Sequence, residues 1–219
     1  MAFRHDLTAT PAASDGDGIA DANDSSGTSV TLDGVLTLNN VFTSSDNLGR
    51  QVVYTDAGGH DQSTATITLT GTNTDDEVIT EDLTGPASTA TVTSVKFYKS
   101  LTSVTISNPT ASSTCDIGTA ANTAVSQTYM CPDDHPTISI ALTISGTCSV
   151  DIEHTCTDLD KSSNTQENAN WFDHAVLAAQ TASVNGNYLT PIKAYRLVFN
   201  SYNAGASVVM ETMLANNGG

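Results

Sequence analysis

A series of closely spaced aspartates near the N-terminus has the residue types and spacing for binding a hard metal ion. Alternating carboxylates before a glycine, here Gly18, are how calcium loops wrap oxygen ligands around the ion. Residue 13 is alanine where such a loop would place its first ligand, and no glutamate closes the loop. The sequence therefore predicts either a calcium site or a solvated acidic segment. The candidate ligands are Asp15, Asp17, Asp21 and Asp24.

Soft metal ligands occur in the second half of the chain. Cys148, His154 and Cys156 would share one face of a regular strand, and Cys131 and His135 lie upstream. Convergent thiolates and imidazoles are zinc ligands, but these spacings match no closed zinc framework. Three interpretations stay open: a zinc site, a disulfide formed after release from the cell, or free thiols packed as small apolar side chains.

No motif for catalysis is present. The chain lacks a G-x-S-x-G elbow, an H-E-x-x-H helix motif and a glycine-rich phosphate loop. Adjacent carboxylates at residues 75–76, 81–82 and 133–134 could be glycosidase acids, but they lie beside turn residues and are common in so acidic a chain. The sequence predicts a protein that is not an enzyme, with no catalytic residues and no organic cofactor.

Two adjacent aromatic residues and one arginine are the candidate interface residues. Trp171 and Phe172 follow a long polar loop and could anchor a partner, although packing in a core would also explain them. Arg196 lies in an otherwise apolar strand. We expect Arg196 to reach an acid such as Asp173 or Glu211, or to lie at a subunit contact.

Composition limits both the fold class and the partners. The chain of 219 residues has 34 Thr and 23 Ser, residue types that favour strands and turns over helix interiors. Its seven Lys and Arg residues are scattered singly against 24 acids, a net charge of −17. Nucleic-acid and anionic-membrane partners need clustered cations, so neither is expected.

The first residues lead into a polar stretch, and no window approaches about 18 apolar residues. We therefore expect neither a signal peptide nor a transmembrane helix. The cysteines would then be made in a reducing cytosol, where free thiols are the default.

Period-two alternation of apolar and polar residues dominates from residue 29 onward. The alternation predicts strands such as residues 64–70, 78–83, 101–106 and 138–144, separated by turn residues every 8 to 12 positions. We predict an all-β fold of two β-sandwich-like modules of the immunoglobulin or jelly-roll kind. Residues 1–28, with little to bury, would form an extended arm, and the modules would span residues 29–121 and 122–219.

Several local features are predicted within these modules. One apolar face should contain Val30, Leu32, Leu36 and Leu38. Residues 145–147 should close a hairpin, residues 202–205 should close a second one, and residues 185–187 should form a turn. Residues 171–181 should form a short helix or an irregular strand.

Two stretches resemble segments that recur in the structural proteins of tailed-bacteriophage virions. Residues 61–106, including TITLTGTNTDDEVITEDLTGP and SLTSVTIS, resemble a "TITGTD…ETITGP…FKTVTSITVS" pattern. Residues 138–214, with WFDH at 171–174 and PIKAYRL at 191–197, resemble a second β module of such proteins. The cysteines at 131, 148 and 156 depart from the usual form of that module.

The resemblance implies a non-enzymatic virion structural protein. Similar modules recur in head-decoration, neck and tail proteins, and among these we expect a capsid decoration, or cement, protein, made in the host cytoplasm and bound to the capsid exterior. The partners would be the major capsid protein and copies of itself, with a trimer expected by analogy with the symmetry of capsid positions. One alternative is a neck, tail or short-fibre protein active in tail assembly or host attachment. Another is a cell-surface adhesion module that uses calcium at the four aspartates.

Overall fold

A computed structural model describes residues 3–110, 113–132 and 137–215, and this part of the chain contains strands and turns but no helix. The fold is therefore all-β, as the hydroxyl-rich composition predicts. The strands are β1 Phe3–Ala9, β2 Ala20–Asp24, β3 Ser29–Val30, β4 Thr37–Leu38, β5 Val41–Thr43, β6 Val52–Asp56, β7 Thr66–Thr72, β8 Val78–Thr84, β9 Thr91–Thr93, β10 Ser100–Ser107, β11 Thr114–Thr119, β12 Ala124–Val125, β13 Tyr129–Met130, β14 Thr137–Ser145, β15 Cys148–Thr155, β16 Phe172–Asp173, β17 Val184–Tyr188, β18 Ala194–Tyr202 and β19 Ser207–Ala215.

The chain divides into two compact units. The central unit is continuous in sequence and runs from Ser14 to Ala121. The split unit combines Met1–Ala13 with Asn122–Gly219, so the central unit is inserted between its two pieces.

The central unit is a sandwich of two antiparallel sheets. One sheet has the order β4-β5-β10-β7-β8, with β3 also pairing with β10, and the other has the order β2-β11-β6-β9. In β7 the residues Ile67 and Leu69 are fully buried while the threonines that alternate with them are half-buried. Residues from both sheets form one apolar cluster, which is the core between them.

The split unit is also built from two antiparallel sheets. The first has the order β1-β19-β14-β17, and in the second β18 pairs with β12, β13 and β15, and β15 pairs with β16. The predicted alternation is confirmed in β14, where Ile138, Ile140 and Leu142 are all at most 2% exposed. Val150, Ile152, Leu197 and Phe199 of the second sheet are completely buried.

Both predicted hairpins of the split unit are wrong. β14 and β15 flank residues 145–147 but lie in different sheets, and β18 and β19, on either side of residues 203–206, also lie in different sheets. The two connections contact each other, since the backbone N–H of Asn203 donates to the carbonyl of Thr147 at 3.0 Å. A short turn with a glycine, here Gly146 at φ 77°, can lead either to the neighbouring strand or to the opposite sheet. The alternation of the flanking strands is the same in both cases.

Residues 185–187, predicted as a turn, instead form the middle of strand β17. Gly186 has a packing role there, since a methyl group at this position would lie 2.9 Å from Leu177 Cγ and 3.1 Å from His174 Cε1. The asparagines that flank the glycine are exposed, as expected for the outer face of an edge strand.

The predicted apolar face at residues 30–38 is wrong in its second half. Val30 and Leu32 are buried, but Leu36 is 37% and Leu38 is 77% exposed. The chain turns between these pairs, and β4 and β5 form a separate hairpin through Asn39 and Asn40, both at positive φ. Such two-residue turns favour asparagine. The direction of the chain here is therefore set by the turn and not by the alternation of apolar residues.

The first 28 residues, for which the composition predicts an extended arm, contain two edge strands. β1 pairs with β19 in the split unit, and β2 pairs with β11 in the central unit. Ile19, the apolar residue before β2, is completely buried in the central core. The segment contains few apolar residues, so its position is fixed mainly by backbone pairing and by the burial of Ile19.

Candidate interaction surface

Trp171, Arg196 and Glu153 form a stacked and charge-paired group on the split unit. The Arg196 guanidinium lies 4.0 Å from the centre of the Trp171 ring. The guanidinium also donates to one oxygen of Glu153 through Nε at 2.8 Å and Nη2 at 2.7 Å. Side-chain exposures of 13% for Arg196 and 20% for Glu153 reduce the screening of this pair by water. The group is therefore held in one arrangement at the protein surface.

Arg196 reaches an acid, as one of the two predicted alternatives requires, but the acid is Glu153 and not Asp173 or Glu211. Glu153 and Arg196 are directly opposite each other on β15 and β18, and opposite-charge pairs in this position stabilise a sheet. Glu211 lies on β19, in the other sheet, and pairs with Arg4 instead. The register of β15 on β18 determines the partner of Arg196. That register depends on long-range pairing and cannot be predicted from the local sequence.

The indole N–H of Trp171 donates to the carbonyl of Gln166 at 2.9 Å, which fixes the ring against the preceding polar loop. The next residue, Phe172, starts β16 and is 57% exposed. Phe172 lies opposite His154 of β15, with ring centres 5.9 Å apart. Of the two candidate aromatics, Trp171 completes the fixed group and Phe172 is presented to solvent.

Residues 172–180 continue along β15 as an irregular edge. The backbone N–H of His174 donates to Ile152, that of Ile152 to Leu177, and Val150 exchanges two bonds with Gln180. Ala179 has positive φ, which interrupts regular pairing. An interrupted edge of this kind resists uncontrolled strand addition. This segment also presents Val176, which is 57% exposed.

Behind Phe172 lies a group of rings that sequence reasoning missed, made of His154, His174 and Tyr188. Tyr188 packs edge-on against His154 at 5.0 Å and against His174 at 4.5 Å. Burial, and then the charge of His174, lower the pKa of His154. The three residues are 14 or more positions apart in sequence. Packing of the two sheets of the split unit brings them together, since His154 and His174 lie on the side of β15 and Tyr188 lies on β17 of the other sheet.

Hydrogen bonds hold the ring of His174 in one orientation. Nδ1 accepts the backbone N–H groups of Val176 at 3.0 Å and Leu177 at 3.1 Å. Nε2 lies 3.2 Å from the carbonyl oxygen of Asn187. His174 thus fastens the irregular edge to strand β17.

Charge is unevenly divided between the units. The central unit has 14 acids and three bases, a balance of −11, and the split unit has ten acids and four bases, a balance of −6. Acids also pair with cations in both units, as Asp76 does with Lys99 in the central unit and Glu153 with Arg196 in the split unit. Because acids far outnumber bases in each unit, the surface is negative and disfavours polyanions.

The predicted calcium ligands lie at two places in the central unit. The backbone N–H of Asp15 donates to the Thr119 hydroxyl at 2.9 Å, and the Asp15 carbonyl accepts the Thr119 N–H at 2.7 Å. A side-chain hydrogen bond with Asp17 raises the pKa of the Asp15 carboxyl. These two carboxylates are neighbours, and a bound cation would reduce the repulsion between their charges.

Asp21 and Asp24 belong to strand β2, and the Asp24 carboxylate accepts the N–H and hydroxyl of Ser26. Within the described ranges, no three His, Cys, Asp or Glu side chains are grouped as a metal site. Calcium binding by the four aspartates stays a prediction.

All four cysteines are free thiols, and three of them are buried. Burial raises the pKa of Cys131 to about 12, so this thiol stays protonated at neutral pH. Cys148 is buried at the start of β15, whereas Cys156 is exposed beyond its end. His135 and the carboxylates at 133–134 lie outside the described residues.

A shallow concavity of 490 Å³ lies on the outer face of the sheet β1-β19-β14-β17. Its floor runs along β14 at Ser139 and Ala141, between walls from β17 and β19. Arg4 of β1 also lines it and bonds the Glu211 carboxylate at 2.7 Å. Apolar side chains such as Met213 line the groove together with the polar ones.

Comparisons with known proteins find little. No family model matches the chain, and no curated protein matches it. Among solved structures, the major capsid protein P2 of bacteriophage PM2 is 11% identical with a TM-score of 0.27, covering 98% of this chain and 100% of that one.

A triple jelly-roll protein of an archaeal virus is 11% identical with a TM-score of 0.22, covering 76% of this chain and 51% of that one. VP2 of infectious bursal disease virus is 14% identical with a TM-score of 0.21, covering 98% and 72% of the two chains. Similarities at these TM-scores carry no argument about function. In the described part of the chain, no helix is long and apolar enough to cross a membrane.

Proposed function

We propose that the chain is a non-enzymatic structural protein of a phage virion and that it decorates the outer face of the head as a capsid cement protein. The sequence resemblance of residues 61–106 and 138–214 to tailed-phage virion proteins suggests this role. Bound copies would bridge major-capsid subunits and so resist the pressure of packaged DNA. A trimer is part of the proposal and follows only from the symmetry of capsid positions.

The observation that carries the proposal is the group of Trp171, Arg196 and Glu153, with Phe172 beside it at the edge of the sheet. Arginine and tryptophan are enriched among residues that dominate binding energy, and ordering such side chains before binding reduces the entropic cost. Here Trp171 and Arg196 are already stacked and Arg196 is already paired with Glu153. Exposed Phe172 lies next to them. This is the arrangement expected of an anchor for a protein partner.

The negative surface agrees with a position outside the head. A net charge of −17 repels the packaged DNA. The same charge favours a partner whose contact surface is basic, because complementary potentials speed association and select the partner. Binding to the head should therefore weaken as salt is raised.

Quantitative mass spectrometry of purified virions tests the proposed location. We expect a copy number in a simple ratio to the major capsid protein. A count of a few tens would move the protein to the neck, tail or a short fibre. Absence from virions would overturn both virion proposals.

A binding assay on heads of the same virus that lack this protein tests the proposed anchor. Phe172→Ala should weaken binding about tenfold or more, because a central aromatic anchor contributes 2 kcal/mol or so. The matched control is Leu38→Ala, which removes an exposed apolar side chain from the central unit. Equal effects of the two substitutions would contradict the assignment of the surface.

A further inference from the structure

Strand β1 has an unusual position in the chain. It is an edge strand of the split unit, and it pairs only with β19, the last strand. The next residues, 14–121, form the central unit, and the rest of the split unit begins at residue 122. Among the strands in the described residues, β1 is therefore the only one of the split unit that precedes the central unit.

β1 contributes little to the core on which it lies. Ala9 is buried on its inward face, while His5 and Leu7 are half-buried. Strand β19 is different, since the four core-facing residues between 208 and 214 are all at most 1% exposed. The core of the split unit is thus formed mainly without β1, and β19 would keep its buried face if β1 left.

Without β1, β19 would present a long open edge. β19 has nine residues, contains no proline and carries a single charge at Glu211. Long apolar edges of this kind pair readily with other strands. β1 therefore occupies a strand-binding site and protects it.

Specific contacts set the register in this site. Seven consecutive residue pairs align β1 with β19, from Phe3 opposite Leu214 to Ala9 opposite Val208. Arg4 bonds Glu211 at 2.7 Å, and the His5 ring nitrogen Nδ1 lies 2.9 Å from the Tyr195 hydroxyl. The site can therefore recognise this strand by sequence as well as by backbone.

We propose that the edge of β19 binds the N-terminal strand of a second copy, so that copies associate by exchanging β1. The contacts made between copies are those made within one copy, which is why strand exchange needs no new surface. Within one chain the linked strand acts at an effective concentration of roughly millimolar. Exchange is thus favoured where copies are concentrated, during synthesis or on a shared surface.

A cysteine trap in the full-length chain tests this. Arg4 and Met213 face each other across the pair, and both side chains are exposed, so opposed cysteines would be close enough to form a disulfide. Two differently tagged chains are co-expressed, one carrying Arg4→Cys and the other Met213→Cys. Cys156→Ser is included in both to remove the exposed native thiol.

We expect a covalent dimer that carries both tags and separates on reduction. The matched control pairs Arg4→Cys with Val209→Cys. Val209 lies opposite Thr8, and four residues of strand place it about 13 Å away from position 4. This control should give at least fivefold less dimer.

A single chain with both Arg4→Cys and Met213→Cys is the second control. If it links within itself while the mixed chains give no more dimer than the Val209→Cys control, β1 binds only its own chain and the proposal is wrong. If it does not link at all, β1 does not occupy this register and the proposal is also wrong. Neither result depends on the copy number in virions, so failure here leaves the proposed function standing.

Discussion

The central and split units use different chemistry to specify similar sandwiches. The central unit has four aromatic residues and one histidine, whereas the split unit has eight aromatics and four of the five histidines. The central unit instead contains a buried carboxylate network. Two units of one chain thus reach the same architecture with polar interactions in one and ring packing in the other, and they should respond differently to mutation and to pH.

Asp56 is the centre of the polar network in the central unit. One carboxylate oxygen accepts the Ser113 hydroxyl at 2.7 Å and the Gln62 amide at 3.3 Å, and the other accepts the His60 backbone N–H at 2.6 Å. Burial acts to raise the pKa of Asp56, but the hydrogen bonds from Ser113, Gln62, His60 and Thr89 together lower it. The carboxylate stays charged and ties three loops to strand β6.

Removal of this carboxylate should have the largest effect. Asp56→Ala leaves several buried donors without an acceptor, and each costs about 1–3 kcal/mol, so the central unit should lose about 3 kcal/mol or more. The measurement is urea unfolding followed by circular dichroism. Trp171, the single tryptophan, lies in the split unit. Its fluorescence transition should stay unchanged, and an equal shift in both signals would show that the units unfold together.

The reciprocal change is Gly186→Ala in the split unit. The added methyl group would meet Leu177 and His174 at about 3 Å, and overpacking of this kind costs about 1–3 kcal/mol. Tryptophan fluorescence should now report an earlier urea transition. Gly16→Ala is the control, because nothing lies within 4 Å of a methyl group there. Equal losses in the two variants would contradict the packing role of Gly186.

Acid should affect the split unit before the central unit. Burial lowers the folded pKa of His5 and of His154 below 6.5. The unfolded chain then binds protons that the folded chain does not, so stability falls as the pH drops below about 6.5. The surrounding charges are Asp6 beside His5, and His174 and Asp173 beside His154.

Asp56 has the opposite character, since its folded pKa is lower than 3.8. Its contribution is complete above that pH and is lost only as the pH falls through the folded value. Melting followed by tryptophan fluorescence between pH 7 and 5 should therefore show a decline that His154→Gln reduces. A decline that begins only below pH 4 would contradict this account.

Calcium should have the smallest effect. A cation bound in the segment of residues 15–24 would stabilise the central unit by about 0.4 kcal/mol when its concentration equals the dissociation constant. The measurement is the melting midpoint by circular dichroism with and without calcium. Asp17→Asn should abolish the rise, and Asp61→Asn, which changes an exposed aspartate outside the segment, should not. A rise that survives Asp17→Asn would place the ion elsewhere.

Local alternation made several strands predictable. Ile67 and Leu69 in β7, and Ile138 to Leu142 in β14, face the core as the period of two requires, because that period is a property of neighbouring residues. Ile19 shows the limit of this reasoning. Its neighbours in sequence are Asp, Gly and Ala, so the local pattern predicts no buried residue there. Ile19 is nevertheless completely buried, because β11 and Gly34 lie against it.

The residues of the candidate surface could be predicted from the sequence, but their arrangement could not. Trp171, Phe172 and Arg196 are singled out by residue type, since rings and guanidinium groups are uncommon in this chain. That Arg196 stacks on Trp171 and pairs with Glu153 depends on how β15, β16 and β18 align. The His154, His174 and Tyr188 group carried no local signal.

The sequence by itself determined the class of this protein: strands rather than helices, turns at glycine, asparagine and aspartate, and a strongly negative charge. These follow from the preferences of single residues and their neighbours. The tertiary structure alone decided which strands pair, which is why two apparent hairpins connect opposite sheets and why the first strand, β1, pairs with the last, β19. Pairing depends on contacts between residues as far apart as 3 and 214, and no local preference encodes such contacts.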